Sequence, residues 1–148
     1  MEIVLAIVIL MLVLLLAVPS VSGVLADRRL RQSLDAFNTL VSQARERSVV
    51  EHRPFLVVIG DKAIEVRPEV FTKDDDPGPV AQLPLNQRDS IKLTFPAALA
   101  KDPPPEWIFW PAGVCEPAVV DFSGRNGRWT ASYSALSPQP DITRFIPR

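Results

Sequence analysis

One carboxylate, Glu2, stands directly in front of the longest apolar run in the chain. The run Ile3–Val18 is unbroken, and Pro19 follows Glu2 by 17 positions. A carboxylate at the mouth of an apolar helix is strongly unfavourable in a low-dielectric medium unless a cation lies beside it. Glu2 is therefore the first candidate for a functional role. A glutamate that simply marks the surface of a membrane is the alternative interpretation.

Three other parts of the sequence contain residue types that can react or bind a metal ion. The sole histidine, His52, lies between Glu51 and Arg53 without a nucleophile beside it, so we expect it to cap a helix or face solvent. The sole cysteine, Cys115, excludes an intramolecular disulfide and is predicted to be a small buried side chain. The acidic run Asp74–Asp76 could bind Ca²⁺, but it lacks the spaced ligands of known calcium loops, so we favour a solvated turn.

The composition favours a protein without catalytic machinery. The sequence contains no nucleophile elbow, zinc-binding H-E-x-x-H, phosphate-binding loop or dinucleotide-binding glycine motif. The 16 basic and 17 acidic residues give a net charge of −1, which provides no excess for binding nucleic acid. Trp107, Trp110 and Trp129 are predicted to pack in or on a sheet, with an exposed edge at a partner contact as the alternative. We therefore expect no catalytic residue, metal or cofactor.

The apolar run has the length of a membrane span. Residues 3–24 are uncharged and would form a helix of about 33 Å, against a hydrocarbon core of about 30 Å. We predict a transmembrane helix half over residues 1–26. A secretory signal cleaved after Ser22 is an alternative. Against it, the segment lacks a positively charged N-terminal region, and its apolar run is longer than that of a typical signal peptide. An uncleaved anchor of unrelated type is another.

The helix is predicted to continue beyond the membrane, with an amphipathic half over residues 27–51. Its apolar residues recur every three or four positions, as on one face of a helix. This packing stripe consists of Leu30, Leu34, Phe37, Val41 and Ala44. No proline lies between Gly23 and Arg53, so one helix can run from residue 3 to about residue 50, with a kink at Pro19.

Residues 52–136 are predicted to form a β domain. Alternating and β-branched runs separated by turn residues predict two hairpins and two further strands. The predicted strands are Phe55–Ile59, Ala63–Arg67, Ile91–Phe95, Trp107–Trp110, Ala118–Phe122 and Arg128–Tyr133. Lys73–Pro84 is predicted to be a loop, and residues 137–148 an irregular proline-rich tail. The fold class is α+β, with one long helix packed on a C-terminal antiparallel β domain.

These features resemble a known family. Glu2, the apolar run, Pro19 and the continuation Ser20–Arg31 resemble the N-terminus of type IV pilin-like proteins. The later part of the β domain resembles that of the H-type minor pseudopilins of type II secretion systems and of the related FimT-like pilins. The residues that carry this second resemblance are Ile108–Gly113, Ala118–Phe122, Gly124–Gly127 and Trp129–Tyr133. The resemblance implies a pilin-like fold. It also implies that Glu2 and Pro19 serve assembly, with the Glu2 carboxylate meeting the N-terminal amine of a neighbouring subunit.

The resemblance also implies a function and a location. It implies a minor pseudopilin that assembles by helix packing into a pseudopilus, anchored once in the inner membrane with its C-terminal domain in the periplasm. The implied partners are other pseudopilins or pilins, the inner-membrane assembly platform and the lipid bilayer. Alternatives are a minor type IV pilus or DNA-uptake pilin, a membrane-anchored periplasmic binding domain, and a secreted β protein.

The basic residues next to the apolar run bear on its orientation. Arg28, Arg29 and Arg31 follow the run and no basic residue precedes it, so the positive-inside rule alone would place the β domain in the cytoplasm. A basic leader upstream of Met1 would reverse that expectation. We therefore expect a leader encoded upstream, processed by prepilin peptidase with methylation of the new N-terminus. The DNA preceding the Met1 codon tests this.

Overall fold

The chain begins with one long helix. In the computed structural model, α1 covers Glu2–Val50 without interruption. It carries an acidic residue, Glu2, in its first turn and a basic one, Arg47, in its last, an arrangement that complements the helix dipole. The structure describes residues 2–73, 78–96, 105–137 and 139–148, with only the backbone of residues 15–22.

The proline of α1 lies where only the backbone is described. The kink and the assembly role predicted for Pro19 therefore concern a side chain outside the described residues. Among the described residues, no helical stretch combines the length and apolarity that crossing a membrane requires. The membrane-spanning role of residues 1–26 stays a prediction.

Two antiparallel sheets follow the helix. The first has the strand order β3-β2-β1-β5 and the second β4-β6-β7-β8. The predicted hairpins are confirmed, since Val57 lies opposite Val66 in β1–β2 and Val120 opposite Ala131 in β6–β7. The strands are β1 Phe55–Ile59, β2 Ala63–Pro68, β3 Ala81–Pro84, β4 Ser90–Thr94, β5 Glu106–Phe109, β6 Ala118–Gly124, β7 Gly127–Tyr133 and β8 Asp141–Pro147.

The hydrophobic core lies between α1 and the two sheets. All five residues of the packing stripe are buried there, as expected of an amphipathic helix that covers a sheet. Alternate residues of β7, Trp129, Ala131 and Tyr133, point into the same core because side chains on a strand alternate between its faces. The Phe37 ring of α1 lies 5.7 Å from Trp129 and 6.0 Å from Tyr133, measured between ring centroids. The helix is therefore an integral part of the β domain.

The predicted irregular tail is wrong over most of its length. Residues Asp141–Pro147 form β8, which pairs with β7. Most β8 side chains are exposed on both faces, so the strand lacks the apolar alternation by which strands are identified. It forms because β7 offers unpaired backbone groups along its free edge. Pro147 is tolerated because it stands at the end of an edge strand.

The predicted loop over Lys73–Pro84 is wrong at its end. Ala81–Pro84 form β3, which pairs with β2 at the edge of the first sheet. Only Ala81 and Leu83 of these four residues are half-buried, which is too short a pattern for alternation to stand out against the surrounding prolines and glycine. Asp74–Asp76 lie outside the described residues, so the calcium and solvated-turn interpretations both remain predictions.

Candidate functional site

The start of α1 presents an apolar surface on all its sides. The large apolar side chains described between Ile3 and Leu14 are 51–76% exposed. Glu2 lies exposed in the first helical turn, where the helix dipole favours a carboxylate. A soluble monomer rarely exposes so long a contiguous apolar surface, which marks a contact with lipid or with another protein. Glu2 is the one charged residue described within this surface.

The helix changes character at Ala26. Val24 and Leu25 are still exposed, by 67% and 47%, whereas Ala26 and Leu30 are buried against the β domain. From this point the packing stripe faces the core and polar residues face solvent. The same helix thus has an unpartnered apolar first part and a second part fixed to a folded domain.

Two buried aromatic side chains of β7 hold the second part of α1 by hydrogen bonds. The Trp129 Nε1–H donates to Ser33 Oγ over 3.0 Å, and the Tyr133 hydroxyl donates to Asn38 Oδ1 over 2.5 Å. These bonds fix the rotation of the helix about its axis, which apolar contacts alone specify less sharply. Burial raises the pKa of the Tyr133 hydroxyl far above its usual value, so Tyr133 stays protonated as a donor. Ser33 and Asn38 were not predicted, although each adjoins a stripe residue.

The helix ends in a small cluster of charged side chains. Partial burial by itself raises the pKa of Glu51, but hydrogen bonds from Arg53 and Arg47 outweigh it and hold that pKa below its usual value.

His52 is exposed and takes a left-handed backbone conformation, with a φ of 52°, just after the helix end. This conformation commonly terminates helices. Ser48 Oγ–H is shared between the carbonyl oxygens of Arg45 and Trp110.

Cys115 has the environment of an inert thiol. It is buried, and burial raises its pKa despite the Arg45 guanidinium, whose Nη2 donates a hydrogen bond to Sγ over 3.4 Å. A reactive cysteine needs a lowered pKa and access to solvent. A second nitrogen of the same guanidinium, Arg45 Nε, is buried without a hydrogen-bond partner among the described residues. The geometry gives Cys115 a packing role.

The tryptophans divide into two groups. Trp107 and Trp129 are fully buried, and the Trp107 Nε1–H donates to the carbonyl oxygen of Glu116 over 2.7 Å. Trp110 is 38% exposed and adjoins the helix end through the Ser48 contact. Within the described parts of the chain, no group of three or more His, Cys, Asp and Glu side chains could hold a metal ion.

The fold resembles solved structures of two kinds of minor subunit. The minor pseudopilin EpsH from the type 2 secretion system of Vibrio cholerae aligns with a TM-score of 0.57 and 10% identity, covering 78% of this chain and 94% of that chain. The type IV minor pilin FimU of Pseudomonas aeruginosa aligns with a TM-score of 0.56 and 12% identity, covering 79% and 90%. No protein-family model and no curated protein matches the sequence. The chain has a pilin-like fold.

Proposed function

We propose that this protein is a minor pilin-like subunit, and more narrowly a minor pseudopilin that assembles by helix packing into the pseudopilus of a type II secretion system. The observation that carries the proposal is the division of α1. Its second part is built into the β domain, whereas the large apolar side chains between Ile3 and Leu14 are exposed. A helix of this kind can pack against the same part of other subunits while it carries its own domain outward.

The proposal includes membrane anchoring. The exposed apolar part of α1 would lie in the inner membrane before assembly, with the β domain in the periplasm and the assembly platform as a partner. The whole apolar segment, residues 3–24, has the length that the hydrocarbon core requires. In this arrangement the role of the chain is structural, and no enzymatic step is assigned to it.

The choice of machine rests on the likeness to EpsH, which comes from a type 2 secretion system. The likeness to FimU, a type IV minor pilin, is equally close and supports the second candidate, a minor pilin of a type IV pilus or a DNA-uptake pilus. Both candidates use the same helix packing. They differ in which cellular process fails when assembly is blocked.

The proposed assembly role of Glu2 is tested by Glu2→Leu in the host. An unpaired carboxylate is unfavourable in an apolar bundle, so Glu2 in such a bundle needs a cationic partner, which the proposal identifies as the N-terminal amine of a neighbouring subunit. Glu2→Leu removes that pairing, so we expect assembly to be lost while the protein accumulates with a folded β domain. Asp35→Leu, which replaces an exposed carboxylate farther along α1, is the matched control and should assemble normally.

Three readouts separate the candidates. Loss of protein secretion supports the pseudopilin, whereas loss of surface pili or of DNA uptake supports the pilin. If Glu2→Leu leaves all three unchanged, the assembly role is wrong. Mass spectrometry of the mature N-terminus distinguishes the remaining alternatives: a methylated residue upstream of Glu2 supports assembly, and a start at Gly23 supports secretion of a soluble β protein. An intact Met1 supports a simple anchor.

A further inference from the structure

A cleft opens at the end of the β domain next to the exposed apolar part of α1. Its walls are one turn of α1, the loop before β4 and the turn between β6 and β7, and its volume is about 610 Å³. Each wall contributes one arginine: Arg29 from the helix, Arg88 from the loop and Arg125 from the turn. The fold thus brings three arginines that lie far apart in the sequence to the lining of one cleft.

These three arginines form a local excess of positive charge. Asp89 is the one carboxylate among the lining residues, so the lining carries three positive charges against one negative. Among the described residues, none of the three guanidinium groups has a hydrogen-bond or ion-pair partner. Other arginines are paired, for example Arg31 with Asp27 over 3.0 Å. A cluster of unpaired guanidinium groups is suited to binding an anion, and above all a phosphate group.

The carboxylate of Asp89 is bonded within its own loop and lies against the turn between β6 and β7. Asp89 Oδ2 accepts hydrogen bonds from the backbone N–H of Asn86 over 3.2 Å and from its Nδ2 over 2.7 Å. The other oxygen, Oδ1, lies over Gly124, where a Cβ atom would come within 2.5 Å of it. The loop that carries Arg88 and the turn that carries Arg125 are therefore in close contact beside the cleft.

The position of the cleft indicates which anion it meets. Leu25, the last exposed large apolar residue of this part of α1, precedes Arg29 by four residues, which is about 6 Å along a helix. A helix that leaves a membrane at this point places Arg29 at the level of the phospholipid headgroups. Basic side chains at that level attract anionic lipids by about 1 kcal/mol each.

We propose that this arginine cleft, lined by Arg29, Arg88 and Arg125, binds the phosphate of an anionic phospholipid headgroup. The inference rests on the membrane anchoring in the proposed function. The amide side chains of Gln32 and Gln87 in the lining can bond the hydroxyl groups of a glycerol headgroup. A choline headgroup brings its own positive charge and is disfavoured by the three arginines. The bound headgroup would set the height and tilt of the β domain above the membrane.

The test uses the full chain in non-ionic detergent micelles. Dihexanoyl phosphatidylglycerol is titrated in, and the Nε–H signals of the arginines are followed by NMR. We expect saturable shifts of Arg29, Arg88 and Arg125, an affinity about fivefold weaker in Arg125→Gln and on the order of 100-fold weaker with all three replaced by glutamine. Arg144→Gln, which replaces an exposed arginine on β8 outside the cleft, should bind like the wild type.

Two further titrations decide the nature of the ligand. Dihexanoyl phosphatidylcholine should bind far more weakly, and inorganic phosphate should produce no saturable shift in the same range. Equal affinity for the choline lipid, equal affinity for inorganic phosphate, or full binding by the triple variant overturns the proposal.

Alkaline carbonate extraction of membranes from expressing cells tests the anchoring separately. A chain released by carbonate contradicts the anchoring of the proposed function. A chain that stays in the membrane but gives no arginine shifts with phosphatidylglycerol contradicts the cleft alone.

Discussion

The hydrogen bond between Tyr133 and Asn38 can be tested by removing it. The ionisation of Tyr133 can be followed directly by absorbance, because Tyr133 is the only tyrosine in the chain. Tyr133→Phe keeps the buried ring in contact with Phe37 and removes only the hydroxyl. Asn38 Oδ1 then loses its donor. Since a buried hydrogen bond contributes about 1 kcal/mol and an unsatisfied acceptor adds a penalty of similar size, we expect the variant to lose about 1–2 kcal/mol of unfolding free energy near neutral pH.

This deficit should vanish at high pH. Burial raises the pKa of Tyr133 in the folded protein, whereas in the unfolded chain the hydroxyl ionises near pH 10. Above that pH the unfolded state holds fewer protons than the folded state, so the stability of the wild type falls as the pH rises. At about pH 11 the loss from this one group is about 1.4 kcal/mol, since the folded pKa lies well above the unfolded one. The Phe variant has no such group, so the two proteins become nearly equally stable.

The measurement is urea unfolding of the full chain in non-ionic detergent at about pH 8 and about pH 11, followed by tryptophan fluorescence. Ser33→Ala is the matched control: it removes the acceptor of the Trp129 indole on the same helix but no titrating group, so its deficit should be the same at both pH values. Tyrosinate absorbance reports Tyr133 directly. Ionisation of the folded protein with a midpoint near pH 10, or a Tyr133→Phe deficit that persists at pH 11, would refute the reasoning.

Substitutions at two further positions test the packing of the helix and of the last strand. Phe37→Ala should lower the unfolding free energy by about 3–5 kcal/mol, and Phe37→Leu by less than about 1.5 kcal/mol, in urea unfolding, because Phe37 is fully buried in the core. Gly127→Ala should lose at least about 2 kcal/mol and speed amide exchange along β8, because Gly127 has a φ of 135° and a Cβ there would clash with the backbone oxygen of Ile146. Gly23→Ala meets no atom within 4 Å and should not be destabilised.

The parts of the fold that could be predicted are those whose signal is local. The packing stripe from Leu30 to Ala44 follows from a period of 3.6 residues, and the β1–β2 and β6–β7 hairpins follow from alternation around short turns. Each of these elements buries one face, so its apolar and polar residues alternate with a regular period along a continuous stretch of sequence. β8 buries almost nothing and β3 has only four residues, so neither carries such a pattern.

The polar contacts depend on residues far apart in the chain and could not be predicted. The pairs Trp129–Ser33 and Tyr133–Asn38 join residues 96 and 95 positions apart. The arginine cleft is similar: Arg29 belongs to a basic cluster visible in the sequence, but Arg88 and Arg125 reach it only because a loop and a turn meet at Gly124. A contact of this kind is set by the packing of the sheets on the helix.

The way α1 is held has a consequence for how the proposed assembly would work. The stripe fixes how deeply the helix sits on the sheets, and the two β7 hydrogen bonds fix its rotation. A contact made near Glu2 therefore determines which side of the β domain faces a neighbouring subunit, provided that α1 acts as one rigid element. Breaking the Tyr133–Asn38 bond loosens this rotation, whereas Glu2→Leu leaves it intact. Defects in assembly from the two variants should accordingly differ: misoriented contacts in the first and no contacts in the second.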